Sequence, residues 1–311
     1  MPELPEAETI ARGLHPILTG RVIGEVEVVH RDVLVQTPTD FALALRDRVI
    51  AGVGRRGKNV LLHLADGPTS PRSGADSARP RPSPHGSGSP HRPGPAGTVV
   101  VNLGMTGRLE PDPEGTPSYL GVRFHLDRGS LVYRDVRRFG ELVHRPPPDF
   151  RRWSARLGPE PLSRSFSARR LGEAITRSRS PVRSWLLDQR RVAGVGNIYA
   201  VEALHRGGIH PARPGASLSH ESVRRLHRGL RSVLRSAIRN GGTTLRDYRA
   251  TDGSLGNHGP DLRVYGRAGL PCTTCGTPVQ RIVFGNRSAF LCPTCQPAPA
   301  EGSPATPRAA S

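Results

Sequence analysis

All four cysteines of this 311-residue chain fall in one short C-terminal stretch, as Cys272-x2-Cys275-x16-Cys292-x2-Cys295. Two CxxC pairs at this separation can place four thiolates tetrahedrally around one Zn2+. Such a site is closed. No position remains for water, so the metal is structural and supplies folding energy to a small module. The pattern leaves no cysteine pair for a disulfide and fits a reducing cytoplasm. Between the pairs, Gln280 to Phe290 suits a β-hairpin with Gly285-Asn286 at its tip and Arg281 and Arg287 as its charge. A rigid basic hairpin suits a phosphate or a groove. A zinc ribbon serving only as scaffold or protein contact has the same pattern.

The rest of the chain reads as two halves. Ala7, Ile10, Ala11, Leu14, Ile17 and Leu18 recur at helical spacing behind Pro5, with Gly20 as a stop. Short β-rich runs follow: Val22 to Val29, Val33 to Gln36, Val60 to Leu64, Val99 to Leu103, Val122 to Leu126, Leu131 to Tyr133 and Leu142 to Val143. Their alternation predicts an antiparallel sandwich. Pro68 to Gly97, rich in Pro, Gly, Ser and Arg, is expected to be a disordered loop insertion. Leu157-Gly158-Pro159-Glu160-Pro161 suits a hinge. Beyond it, Ser167 caps one helix, Ser180-Pro181 begins another, and Ser219 caps a longer one stopped by Gly241-Gly242. The fold class is therefore α+β with two domains. It comprises an N-terminal helix plus antiparallel β-sandwich, a helical domain, and a C-terminal β-hairpin zinc finger. The expected boundaries are 2–145, a linker at 146–162, 163–262 for the helical domain, 263–297 for the finger, and a disordered tail at 298–311.

The formal net charge is +19, and Lys58 is the only lysine. An excess of this size points to a polyanionic partner, most simply nucleic acid. A retained ammonium among so many guanidinium groups suggests a role specific to Lys58. No apolar run is long enough to span a membrane, and no signal peptide is expected.

Loss of Met1 would make Pro2 the amino terminus. A terminal proline is a secondary amine that attacks an electrophilic carbon and forms an iminium, and Glu3 stands beside it as an acid/base. Pro2 and Pro5 would equally suit a plain helix start. Gly194-Val195-Gly196 leads to Asn197 at the start of a helix running to about Arg206. Helix-start N–H groups bind phosphate, and Asn197 can add a side-chain donor. The segment resembles a helix-two-turn-helix DNA-binding element, although an ordinary packing unit with Asn197 as a cap is also open. Met105 in NLGMTG, and Arg137 and Phe139 in DVRRFG, stand in short turns at strand ends. Bulky groups there can fill the gap left when a base leaves the stack, or simply pack.

Together the stretches PELPEAET, GRRGKNVLL, NLGMTG, DVRRFGE, LGPEPL, GVGNIYAVEAL, GIHP, GGTTLRDY, VYGR and the four-cysteine finger resemble, in order and along nearly the whole chain, the family of bacterial formamidopyrimidine-DNA glycosylase and endonuclease VIII. The resemblance implies a bifunctional DNA glycosylase and abasic-site lyase, acting on double-stranded DNA as a monomer. It would remove 8-oxoguanine and formamidopyrimidines through a Pro2 Schiff base and cleave by β,δ-elimination. It implies catalytic roles for Pro2, Glu3, Lys58 and Arg287, and DNA contacts by Met105, Arg137, Phe139 and Asn197. Arg179, in the basic stretch Arg177 to Arg183, is a further expected phosphate contact. The resemblance also implies one structural Zn2+ on Cys272, Cys275, Cys292 and Cys295, and a loop from Thr243 to Leu262 covering the everted base. Two features depart from the family pattern: the 68–97 insertion, and the lack of a DNA-contacting histidine near Tyr119. A binding-only protein of this fold and an enzyme for oxidised pyrimidines are the alternatives. Borohydride trapping would discriminate the first, and excision of thymine glycol the second.

The positive end of the first helix should disfavour the cation at Pro2. In protein lacking Met1, NMR titration of the proline amine is expected to give a pKa below the roughly 7.7–8 of a free α-amino group.

Overall fold

The computed structural model describes residues 2–67, 94–113, 115, 117–244, 248–284 and 287–298. Met1, the bulk of the expected insertion, the hairpin tip Gly285-Asn286 and the tail from 299 lie outside the described residues. By its contacts the chain divides into two units. One comprises Arg12–Gly54 and Leu61–Arg151; the other comprises Met1–Ala11, Arg55–Val60 and Arg152–Ser311.

The first helix, α1 (Leu4–Leu18), has Pro5 in its first turn, where the missing N–H costs nothing. Ala7, Ile10, Ala11, Leu14 and Leu18 are buried, but Ile17 is 42% exposed. The expected apolar stripe is therefore one residue too wide. Eight strands follow: β1 (Val22–Val28), β2 (Arg48–Arg56), β3 (Asn59–Asp66), β4 (Pro95–Asn102), β5 (Arg108–Pro111), β6 (Leu120–Leu126), β7 (Ser130–Arg134) and β8 (Glu141–Arg145). They pair in the order β5-β7-β6-β1-β2-β3-β4-β8. The ladder folds back on itself. Val29 and His30 donate to the Gly121 carbonyl in β6, and Val35 donates to Leu142 in β8. The far edge of the sheet thus returns to its middle, and two layers enclose Ile23, Phe41, Leu62, Val99, Phe124, Leu131 and Leu142.

Several local expectations are corrected. Val33 to Gln36 is not a strand: Arg31–Val33 is a 3-10 turn, and Leu34 makes only one bridge, to Leu142. The insertion ends before Gly97, because Pro95 onward is already β4, continued from an Asp66 N–H to Gly94 carbonyl bond. Helix α2 (Pro38–Leu45) is capped by Thr37, whose hydroxyl accepts from Asp40 N at 3.1 Å. Strand β2, with two glycines and three arginines in RVIAGVGRR, lacks the alternation that would reveal it.

Helix α3 (Pro147–Ala155) occupies part of the stretch read as linker. Then come α4 (Ala168–Ile175), capped by Ser167, α5 (Val182–Leu187), α6 (Asn197–Gly207) and α7 (His220–Arg239), capped by Ser219. Leu171, Trp185, Tyr199, Leu204, Leu226, Leu230 and Val233 form the core of these helices. The hairpin β9 (Gln280–Phe284) and β10 (Arg287–Leu291) packs Ile282, Ala289 and Leu291 on Val201 of α6. Among the described residues no helix is long and apolar enough to cross a membrane.

Candidate catalytic site and nucleic-acid interface

Pro2 is buried at the head of α1, and Glu3 is 2% exposed. Leu4 N donates to the Gly194 carbonyl at 3.0 Å, which brings the chain start onto the glycine turn. The Glu3 carboxylate then accepts from Gly196 N at 2.8 Å, Ile198 N at 3.0 Å and Tyr199 N at 3.4 Å. These are the orphan donors at the start of α6, and the helix dipole favours an anion there. The expectation that these N–H groups await a phosphate is corrected: the carboxylate of Glu3 occupies them. Gly196 is required because a β-carbon would lie 2.7 Å from Glu3 Cγ and collide with the carboxyl group.

A second carboxylate, Glu6, closes the network. It accepts from Glu3 N at 2.8 Å, from Thr243 N at 2.7 Å and from the Tyr199 hydroxyl at 2.5 Å. The same hydroxyl lies 2.9 Å from Thr243 Oγ1. Reading the sequence singled out Glu3 but not Glu6. Its signal was present as half of a capping box, with a glutamate reaching back three residues to the N–H at a helix start.

Lys58 stands in the turn between β2 and β3. Gly57 N donates to Glu160 at 2.8 Å, and Glu160 pairs with Arg55 at 2.7 Å and Arg56 at 2.9 Å. Arg56 also donates to the Leu157 and Gly158 carbonyls, each at 2.8 Å. The stretch read as a hinge therefore anchors the lysine turn. Burial pushes the Lys58 ammonium below its ordinary pKa; Glu3 and Glu6 resist this, and Arg287 adds to it. Burial pushes Glu3 up, and Glu6 adds to the rise, while Lys58 and the α6 N–H groups pull it down. Burial thus moves the two groups in opposite directions, the acid up and the ammonium down.

Asn197 has its side chain engaged. Its Oδ1 accepts from Arg183 Nη2 at 2.8 Å, and its Nδ2 donates to the Ser288 carbonyl at 2.9 Å. This ties α5 and α6 to β10 beside Arg287, which is exposed. The Arg183 guanidinium is lowered to about 10, by burial first and then by Arg287. Arg183, unlike Arg179, was not chosen from the basic stretch; Arg179 is exposed between α4 and α5.

The four cysteine sulfurs lie within 4.8 Å of one another. Cys275 Sγ is 3.4 Å from Cys292 and 3.5 Å from Cys295, and Cys272 Sγ is 4.0 Å from Cys295. A tetrahedral ion with metal–sulfur bonds of about 2.3 Å needs edges of about 3.8 Å. The cluster is therefore fit to hold a metal ion. Outside it, the buried Glu202 carboxylate accepts from the N–H groups of Arg263, Val264 and Tyr265, which lead into the finger.

Met105, Arg137 and Phe139 are brought together in the β-rich unit. Arg137 Nη1 lies 3.1 Å from Met105 Sδ, and its guanidinium carbon is 4.7 Å from the Phe139 ring centre. Phe139 is 60% exposed. Buried Asp135 organises both turns, accepting from Gly140 N at 2.7 Å and from the Thr106 hydroxyl, whose oxygen accepts from Arg137 N at 3.0 Å. Tyr119 is exposed, with a φ of +61°. Residues 243–244 and 248–262 of the expected covering loop are described. Thr243 and Asn257 bridge its base, and Tyr248 is buried.

Family models match in the same order: the formamidopyrimidine-DNA glycosylase N-terminal domain over 1–142, its H2TH domain over 157–249, and the zinc finger found in FPG and IleRS over 269–298. Formamidopyrimidine-DNA glycosylase of Novosphingobium aromaticivorans is 40% identical over 299 residues, covering 95% of this chain and all of that protein. That of Thermus thermophilus is 41% identical over 302 residues, covering 95% and 98%. The crystal structure of the MutM (FPG) protein from Thermus thermophilus superposes with a TM-score of 0.77 at 38% identity, covering 95% and 98%. Lactococcus lactis Fpg in complex with abasic site containing DNA gives 0.80 at 28% identity, covering 95% and 100%. A mutant of that enzyme with a Fapy-dG containing DNA gives 0.81 at 28% identity, covering 96% and 100%. A β-rich N-terminal domain, an H2TH domain and a four-cysteine finger in this order define a class of DNA-repair glycosylases. This chain belongs to the formamidopyrimidine-DNA glycosylase family, which it shares with endonuclease VIII.

Stripping the metal with a strong chelator is expected to unfold the finger first, since its core is small and includes only Val201 of α6. Four thiols should become reactive per chain, and elemental analysis before treatment should give one metal ion.

Proposed function

We propose that Pro2, freed of Met1, is the nucleophile of a bifunctional DNA glycosylase and abasic-site lyase, and that Glu3 is its acid/base partner. The enzyme removes oxidised purines and then cuts the strand at the abasic site. The damaged nucleotide leaves the stack, because its sugar carbon is out of reach within it. The Pro2 nitrogen bonds to C1′ as the glycosidic bond breaks, and the departing base takes up a proton. Glu3 gives a proton to the ring oxygen, and the ring opens to an iminium. The iminium draws electrons from C2′ as a proton leaves it, and the 3′ phosphate is expelled. A second elimination expels the 5′ phosphate, and water then adds to the iminium carbon and breaks the C1′–N bond, which releases the sugar fragment as an aldehyde and restores the Pro2 amine. Lys58 donates a proton in the first elimination. Arg287 acts in the second, holding the phosphate as a guanidinium that stays charged at neutral pH.

One observation carries this reading: a carboxyl beside the proline is buried on a helix N-terminus, with its pKa raised and an ammonium close by. Burial favours the protonated form, which is the form that donates. Asn197 and Arg179 hold backbone phosphates. Met105, Arg137 and Phe139 fill the gap in the duplex, with Arg137 facing the orphaned base. The 243–262 loop covers the everted purine. One Zn2+ on the four cysteines holds the β9–β10 hairpin and takes no part in the chemistry. The enzyme works as a monomer in the cytoplasm.

Borohydride added to enzyme and an 8-oxoguanine duplex is expected to trap a covalent adduct that mass spectrometry places on Pro2. Pro2→Gly should lower trapping by about 10²-fold or more while leaving DNA binding near wild type. Gly196→Ala, which displaces Glu3, should slow trapping by about 10²-fold. An adduct on another residue would overturn the assignment.

The pH profile carries a separate expectation. A depressed ammonium loses its proton at lower pH, so the donor is lost as pH rises through the folded-state pKa. The alkaline limb of abasic-site cleavage should fall below the roughly 10.4 of an ordinary lysine.

A further inference from the structure

Helix α7 carries six arginines and a single carboxylate, Glu221 in its first turn. Two of the arginines have internal duties. Arg225 donates to the Gly207 carbonyl at 3.0 Å, and Arg231 donates to the Pro161 and Ser163 carbonyls at 2.8 and 2.9 Å. Arg224 and Arg228 pair only with exposed Glu221. Arg235 and Arg239 are exposed and have no acidic partner among the described residues. His227, Arg228, Arg231, Ser232, Arg235 and Arg239 line one groove of about 320 Å3 that contains no carboxylate.

Packing does not account for this groove. Like charges one turn apart destabilise a helix. Burial, with Arg235 beside it, already lowers the Arg231 guanidinium. The floor offers no apolar anchor of the kind a protein partner needs at the centre of an interface. It offers guanidinium donors, a serine hydroxyl and a histidine, which is the chemistry that takes phosphate oxygens. From Arg228 to Arg239 the helix rises about 16 Å, and that length of duplex axis passes about five phosphates of one strand. Four residues beyond Arg239, Thr243 N donates to Glu6, so the row starts near the catalytic carboxylates and runs away from them.

We propose that the arginine groove of α7 is a second, lesion-independent binding surface for the phosphate backbone of duplex DNA. It lies apart from the catalytic constellation and serves retention on undamaged DNA. The proposal requires only that the protein binds DNA, not that Pro2 is the nucleophile.

The test uses the full, metal-loaded chain. The triple variant Arg228→Gln/Arg235→Gln/Arg239→Gln is titrated against a long undamaged duplex at several salt concentrations. The slope of log affinity against log salt is expected to become shallower by about 2 to 3, near 0.9 per lost phosphate contact. Trapping on a short lesion-bearing duplex, with enzyme in excess, is expected to match wild type. Loss of trapping in the wild type as well would strike the catalytic reading and leave this one standing. The triple Arg→Lys variant should restore the slope. Should the triple Gln variant fail to fold, Arg235→Gln and Arg239→Gln singly should each lower the slope by about 1. An unchanged slope, or arginine-dependent binding of poly-glutamate without any change toward DNA, would overturn the proposal.

Discussion

The seat of Glu3 on the start of α6 is the contact on which the proposed catalytic site depends. It joins position 3 to positions 196, 198 and 199, so the first residues of the chain and the middle of the helical domain form one site. An isolated buried carboxylate would be strongly disfavoured in this environment. Three helix-start N–H groups offset part of that penalty, and burial still leaves the carboxyl above its ordinary pKa. Glu6 fixes the same junction from the other side, through Glu3 N, Tyr199 and Thr243. The proposed nucleophile, Pro2 freed of Met1, would otherwise be among the most mobile groups in the protein. Here its neighbours are tied down within one residue of it.

That tie also explains which expectations from the sequence succeeded and which failed. The cysteine spacing, the caps at Ser167 and Ser219, the glycine turn and the alternation of β1, β6 and β7 are local, and each appears where the residues place it. Strand β2 was missed because glycines and arginines mask its period. Helix α3 was missed because a run of three prolines, Pro146 before it and Pro147 and Pro148 at its start, reads as a break. The N–H groups of α6 were rightly read as an anion site, but the anion comes from 193 residues away in the chain. No local pattern encodes such a pairing. The assembly of Arg183 and Asn197 on the Ser288 carbonyl is equally long-range, joining positions 91 and 105 residues apart.

Charge is distributed by task in this molecule. Around Lys58, Arg55 is answered by Glu8 and Glu160, Arg56 by Glu160, and Lys58 by Glu3 and Glu6. Such pairing sets protonation and geometry. Arg137 instead meets a sulfur and an aromatic face, which leaves its donors free of any carboxylate. On α7, Glu221 answers Arg224, Arg225 and Arg228, while Arg231, Arg235 and Arg239 have no acidic partner among the described residues.

Because Lys58 is the only lysine and is partly buried between carboxylates, primary-amine chemistry in this protein is confined to one side chain. Acylating or aldehyde reagents that scatter over the surface of most proteins have a single ε-amino target here, and it stands in the turn between β2 and β3. The molecule is in effect pre-addressed for selective labelling.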